Sequence, residues 1–198
     1  MRGKKMAALL LALLMVLAGC VSAPETAADG TSWDEDWTMV GPRLGAEAPE
    51  DGFVLSEQSE ALAPMGMYYT TWVYGEAENY LNAEGEETEL YPAQLYLLLE
   101  DCESGEEAAQ SLSEWQAQEE ERYDVGETWS EECGGVTFTF LAYTTDSEEN
   151  PYVRGVSAFG RWENQAICAE LTCQAEYTGD EREILTGFLN RLHYAAEE

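Results

Sequence analysis

Hydrophobic and polar positions alternate with a period of two along much of this chain. Met67 to Tyr74 is dense in β-branched and aromatic residues and reads as a strand. Glu78 to Asn82 and Glu87 to Tyr91 flank Ala83-Glu84-Gly85-Glu86, which has the composition of a hairpin turn. Pro92 suits the beginning of a strand better than its centre. Gln94 to Asp101 follows, with Leu95, Leu97 and Leu99 pointing to one face. Further on, Val125 to Glu132 reaches a turn at Gly134-Gly135. Val136, Phe138, Phe140 and Ala142 then alternate with Thr137, Thr139, Leu141 and Tyr143. Val153 to Trp162, a tight turn at Glu163-Asn164 and Gln165 to Gln174 complete four successive strands.

Two segments change to a helical period. Ser104-Gly105-Glu106-Glu107 has the form of a capping box, with serine at the N-cap and glutamate three residues on. Ala108, Leu112 and Trp115 continue one stripe at spacings of four and three, and the helix is expected to end near Tyr123. A second helix is expected from about Asp180 to Tyr194, with Ile184, Leu185, Phe188, Leu189 and Leu192 as its apolar stripe. The predicted order is a β unit, a helix, a four-stranded meander and a helix. That makes an α+β fold, a mainly antiparallel sheet covered by two helices.

The start of the chain follows different rules. Arg2, Lys4 and Lys5 precede an apolar run from Met6 to Val16 that ends in Leu17-Ala18-Gly19-Cys20. A membrane-spanning helix needs about 20 apolar residues, and this run is shorter. Ordinary secretion with cleavage after small residues is a second alternative. The tetrapeptide resembles the lipobox of bacterial lipoproteins. The resemblance implies acylation of the Cys20 thiol and cleavage before it. The mature chain would be lipid-anchored at the extracytoplasmic face of the cell membrane. Each buried methylene contributes about 0.8 kcal/mol, and two or more acyl chains anchor stably where one does not. Residues 1–19 are thus expected to be a signal peptide, 20–50 an acidic linker and 51–198 one domain. Linkers rarely carry two tryptophans, and Trp33 and Trp37 either dock on the domain or partner or make the tether locally sticky.

With the leader removed, six arginines face forty acidic residues, a formal charge of −34. Such a surface repels nucleic acid, anionic lipid head groups and anionic wall polymers. Disorder does not follow from the acidity. Hydrophobic residues make up 45% of the chain and aromatic residues 11%, far above what an acidic disordered chain carries.

The tract Tyr91 to Leu99, the helix with Trp115, the strand Ala166 to Cys173 and the closing helix from Ile184 to Leu192 resemble the PsbP-like α/β/α sandwich. That fold occurs in a photosystem II extrinsic protein, in a nuclear import factor that binds a small GTPase and in bacterial lipoproteins behind an acidic linker. The resemblance covers about Asp51 to Tyr194. It implies a fold that hosts unrelated binding roles and carries no functional residue across.

Chemistry is sparsely marked. His193 is the lone histidine, and on this reading it sits in the last turn of the second helix, where the dipole favours a cation. No Gly-x-Ser-x-Gly, His-Glu-x-x-His or phosphate-cradling loop is present. Asp34, Glu35 and Asp36, or Asp146, Glu148, Glu149 and Asn150, offer oxygens to calcium, although solvated charge runs explain both. No cofactor and no metal site is expected. Tyr68, Trp72 and Tyr74 share one parity and form the candidate binding surface, against the simpler account of cross-strand packing. Cys102 and Cys133 are the candidate disulfide. Both lie at the same end of the sheet if the first helix crosses between parallel strands, and the bridge would close a loop of about 31 residues worth roughly 3–4 kcal/mol. Four reduced core thiols are the alternative. Cys168 and Cys173 differ by an odd number and face opposite sides of one strand. The functional expectation is a non-catalytic binding or accessory module that meets a protein or cell-wall partner. The alternative is a cell-envelope hydrolase with a carboxylate-based site.

The leader makes the first prediction. Cys20→Ala should release the chain from the membrane fraction and abolish incorporation of labelled fatty acid. A variant as membrane-bound and as lipid-labelled as wild type would refute the lipobox reading.

Overall fold

In the computed structural model, residues 37–49, 52–59, 62–81, 85, 87–145 and 150–195 are described. The leader, Cys20, Trp33, and the acidic groups at Asp34–Asp36 and Asp146–Glu149 lie outside them. The strands are β1 (Thr38–Gly41), β2 (Leu44–Ala46), β3 (Phe53–Ser59), β4 (Met67–Tyr74), β5 (Glu78–Leu81), β6 (Glu87–Leu90), β7 (Ala93–Asp101), β8 (Asp124–Cys133), β9 (Val136–Thr144), β10 (Arg154–Trp162), β11 (Gln165–Cys173) and β12 (Leu192–Tyr194). The helices are α1 (Gly105–Arg122) and α2 (Glu181–Leu189). The expected α+β class is present: a mainly antiparallel sheet with two helices.

The main sheet has seven strands in the order β3-β4-β7-β11-β10-β9-β8, all paired antiparallel with their neighbours. β5 and β6 form a separate two-stranded ribbon, and β1, β2 and β12 a small three-stranded sheet. Alternation decides which helix covers which face. Leu95, Leu97 and Leu99 of β7 and Ile167, Ala169 and Leu171 of β11 share one core with Ile184, Leu185, Phe188 and Leu189 of α2. The opposite parity, Leu98 and Tyr96 with Ala166 and Cys168, packs with Leu112 and Trp115 of α1. The helices therefore lie on opposite faces of one sheet. β7 and β11 sit in its middle and are apolar on both sides.

Local signals explain the boundaries. The Ser104 Oγ accepts from the Glu107 N–H at 3.2 Å, and the Glu107 carboxylate accepts from the Glu103 N–H at 2.9 Å, one residue earlier than in the usual capping box. Asp180 caps α2 by accepting from the Glu183 N–H at 2.9 Å. Gly134 and Gly135, at φ +58° and +83°, make the two-residue β8–β9 turn, which needs left-handed backbone at both positions.

Four expectations need correction. The linker of 20–50 does not extend to its stated end, because β1 and β2 occupy 38–46 and bury Val40, Leu44 and Ala46 in the main core. The second helix stops at Leu189. Residues 192–194 turn into β12 and pair with β2 in the register Leu192↔Ala46, so His193 stands on a strand. Trp115, expected to be largely buried as part of the α1 stripe, is only half-buried, since α1 buries fully only Ala108. The Cys102–Cys133 bridge is not formed, and the four cysteines among the described residues are free. β7 and β8 run parallel with α1 between them, so both thiols do lie at one end of the sheet. However, β11, β10 and β9 intervene. Four strand spacings amount to about 19 Å, beyond the roughly 7 Å that a bridge allows. Burial pushes the thiols of Cys102 and Cys133 up to about 11 and that of Cys173 up to about 12, as suits unreactive core groups.

Phe188 is fully buried and meets Trp72 edge-on at 5.2 Å. Phe188→Ala should cost about 3–5 kcal/mol in denaturant unfolding. Trp115→Ala should cost clearly less, because its site is only half enclosed. Equal losses would contradict this division of the core.

Candidate functional site

The aromatic row of β4 does not form the expected surface. Tyr68, Trp72 and Tyr74 point to the α2 side, where Trp72 is 1% exposed. Tyr74 packs at 5.1 Å against Tyr177 and at 5.3 Å against Phe53. The parity that looked like a groove is core. Nor does His193 meet a nucleophile. Its ring stacks on Trp37 at 3.2 Å and its Nε2 lies 3.5 Å from Glu47, which also accepts from the Trp37 indole at 3.1 Å. Trp37 thus docks on the domain.

A concave feature lies on the other face. α1 packs chiefly across β11 and β10 and leaves the Thr137–Thr139 end of β9 open on that side, whereas Leu141 and Tyr143 further along the same face are buried. The parity of β9 anticipates this: Phe138 and Phe140 are buried under α2, whereas Thr137 is exposed and Thr139 half-exposed toward α1. Between helix and strands lies a groove of about 300 Å³. Ala109, Leu112, Ser113 and Gln116 form the helical wall, and Thr137 and Thr139 the opposite one. Phe159 and Gly160 make the floor, and Arg161 closes one end, donating to the Gly105 carbonyl at 3.1 Å. Gly160 is required on the opposite, α2-side face, where a Cβ would come within 2.4 Å of the buried Phe138 ring.

One turn beyond Gln116 the helix meets the sheet through a cluster of titratable groups. The Tyr143 hydroxyl donates to the Glu170 carboxylate. Tyr123 stacks on Tyr143 at 3.9 Å and 3°. Arg122 lies 5.1 Å over the Tyr123 ring and 4.0 Å from the Glu119 carboxylate. The other Glu119 oxygen, Oε2, is buried without a hydrogen-bond partner. Desolvation, then the neighbouring Glu170, pushes Glu119 up to about 8, with Arg122 pulling the other way. Glu170 is also raised by burial, against the opposing Tyr143 hydrogen bond and the Arg122 charge. Two carboxyls so placed hold a proton at neutral pH that exposed glutamates have lost. Burial raises Tyr143 and Tyr123 as well, keeping both as neutral donors.

Among the described residues no cluster of three or more His, Cys, Asp or Glu side chains is arranged to hold a metal ion. Sequence reasoning missed the Glu119–Glu170 pair, because forty acids hide any two of them. The available signal was Glu170 itself, an acid inside the otherwise apolar strand Gln165-Ala166-Ile167-Cys168-Ala169-Glu170-Leu171.

No family model matches this chain, and no curated protein matches it. Among solved structures it is similar to a Bacteroides thetaiotaomicron VPI-5482 protein determined at 1.50 Å, with a TM-score of 0.49 and 10% identity over 80% of this chain. The chain spans about half, 50%, of that protein's length.

The carboxyl pair gives stability a direction with pH. A carboxyl raised in the folded state keeps its proton between about 4.5 and about 8, where the unfolded chain has released it. Its contribution is present at the acidic end and fades as pH rises through that window. The urea midpoint should therefore fall from pH 5 to pH 8. General charge repulsion acts in the same direction, so the diagnostic comparison is Glu119→Gln, whose fall should be markedly smaller. An equal fall in the variant would mean Glu119 does not hold the proton.

Proposed function

We propose that this chain is a lipid-anchored lipoprotein of the extracytoplasmic membrane face. In this reading its PsbP-like domain is a binding module for a protein or cell-envelope partner and uses the groove beside α1. The address rests on Leu17-Ala18-Gly19-Cys20 behind a charged, apolar leader. The extension of the family resemblance rests on a single sheet with a helix on each face.

One observation carries the binding assignment. Although forty acids stand in the chain, none among the described residues lines the groove, whose walls carry Ser113, Gln116, Thr137 and Thr139 with one guanidinium at the end. Hydroxyls and an amide flanking an apolar floor suit an extended, uncharged polar chain, which hydrogen-bonds to the walls and lays apolar atoms on Leu112 and Phe159. The surrounding negative charge disfavours polyanions.

A second reading, a carboxylate-based hydrolase, is favoured by the Glu119–Glu170 pair, in which one group retains a proton as a general acid would. The two separate experimentally. Filling the groove with Thr139→Trp, or with Ser113→Trp from the helical side, should lower capture of the envelope partner by the full lipidated chain at least about tenfold, the loss expected when a specific contact surface is blocked. Membrane attachment and the unfolding midpoint should stay near wild type, and Glu119→Gln should still capture. Wild-type capture by both folded tryptophan variants would overturn the groove assignment. Turnover of an envelope substrate that disappears in Glu119→Gln and Glu170→Gln would favour the hydrolase.

A further inference from the structure

The end of α1 is attached to the sheet by a contact unlike the rest of its packing. Along Ala108, Leu112 and Trp115 the helix rests on apolar side chains. At Glu119 it carries a buried acid within electrostatic reach of a second one, Glu170, to which the Tyr123–Tyr143 stack also leads. The groups facing this contact come from every neighbouring element. α1 supplies Glu119 and Arg122, followed by Tyr123. β11 supplies Glu170 and Cys168, β9 supplies Tyr143, β7 supplies Tyr96, and Glu57 of β3 lies within electrostatic reach of Tyr96. β10 contributes Ser157, paired directly beside Glu170, with its hydroxyl oxygen buried and unpartnered. One cation, Arg122, is present against two carboxyls, and its side chain is 46% exposed. It cannot neutralise both.

We infer that this contact is a proton-operated latch on the groove. When Glu119 and Glu170 hold a proton, the last turn of α1 is closed against β9 and β11. When the proton leaves to water, two negative carboxylates are left in one desolvated cluster, and the turn detaches. The first turns of α1 stay in place on their apolar contacts, so detachment splays the helix at the Gln116 end and widens the groove there. Several features support this. The Glu119 oxygen has no partner. The Tyr143 hydroxyl is committed to Glu170. The Tyr123–Tyr143 stack ties the end of the helix to β9 and moves with it. The raised proton affinity of both acids acts in the same direction. The opening of the groove rests on the binding role proposed above, whereas the latch does not.

The test is hydrogen–deuterium exchange on the full-length protein in detergent micelles at pH 5.5 and pH 8.5, corrected for intrinsic exchange. Protection across residues 117–124 should fall about tenfold or more at the higher pH, as a proton affinity raised by over one unit requires. Protection across 181–189 of α2 should change little. Glu119→Gln, a neutral isostere, should keep the turn protected at pH 8.5, and Glu170→Gln serves if that variant does not fold. Equal protection at both pH values overturns the latch. So does a loss of equal size in α2, which would mean global weakening, or a pH response unchanged in the glutamine variant. Exchange is read without any partner. A failed latch therefore leaves the groove assignment standing, and failed capture in the tryptophan experiment leaves the latch standing.

Discussion

The pairing of β7 with β11 is the interaction on which the remaining structure depends. Nine successive pairs, from Gln165↔Asp101 to Cys173↔Ala93, join the first part of the sheet to the meander that follows α1. No other ladder links β3, β4 and β7 to β8, β9 and β10 among the described residues. Both helices are seated beside this seam, across β11 and β10, one on each face. Small residues in β11 make room for them: Ala169 faces α2, and Ala166 and Cys168 face α1. Each fully buried leucine of β7 contributes about 1.5–3 kcal/mol through removal from water. A strand that must be apolar on both sides has little tolerance for charge, which is why Glu170 in β11 carries consequences that no surface glutamate has.

Positive charge is so scarce that every arginine of the domain has a structural post. Arg43 reaches Glu163 at 2.8 Å and Asn164 at 2.7 Å and lies 4.9 Å over Trp162, joining the small sheet to the β10–β11 turn. Arg154 pairs with Glu181 and donates to the carbonyls of Gln174 and Tyr177, holding the entry to α2. Arg182 lies 4.3 Å over Trp129, which itself stacks on Phe140, and so covers the edge at β8. Arg191 donates to the carbonyls of Ala48 and Pro49. Exposed ion pairs contribute little energy singly. Here they act chiefly on register, joining segments that are far apart in sequence, and leave the excess negative charge uncompensated at the surface.

Elements with several periods of their own pattern were legible. β7 and β9 alternate over nine residues each, α1 announces itself with Ser104 and Glu107, and α2 carries a four-residue apolar stripe. β1, β2 and β12 are three or four residues long, too short to show a period, and exist because Val40, Leu44, Ala46 and Leu192 find the α2-side core. β3 was hidden because its Val54 and Leu55 are exposed and a bulge after Leu55 breaks its alternation. The α1 crossover puts Cys102 and Cys133 at one end of the sheet, but the three strands between them follow from strand order, a tertiary property that spacing does not carry. The same holds for the groove: Thr137 and Thr139 mark a polar patch on one face of β9, and only the path of α1 turns that patch into a wall.

The small sheet has a mechanical meaning for a tethered protein. Tension arriving from the direction of residue 20 would enter the described domain at Trp37 and pull first on its stack with His193. It would then reach Thr38, which faces Ala46 at the open end of the β1–β2 hairpin. Antiparallel partners pulled apart at an open end separate one pair at a time instead of sharing the force. β1 would therefore peel away at low tension, lengthening the tether by its own contour, while the seven-stranded sheet stays out of the line of force. If the chain is lipid-anchored as proposed, the first strands would act as a shock absorber between anchor and domain.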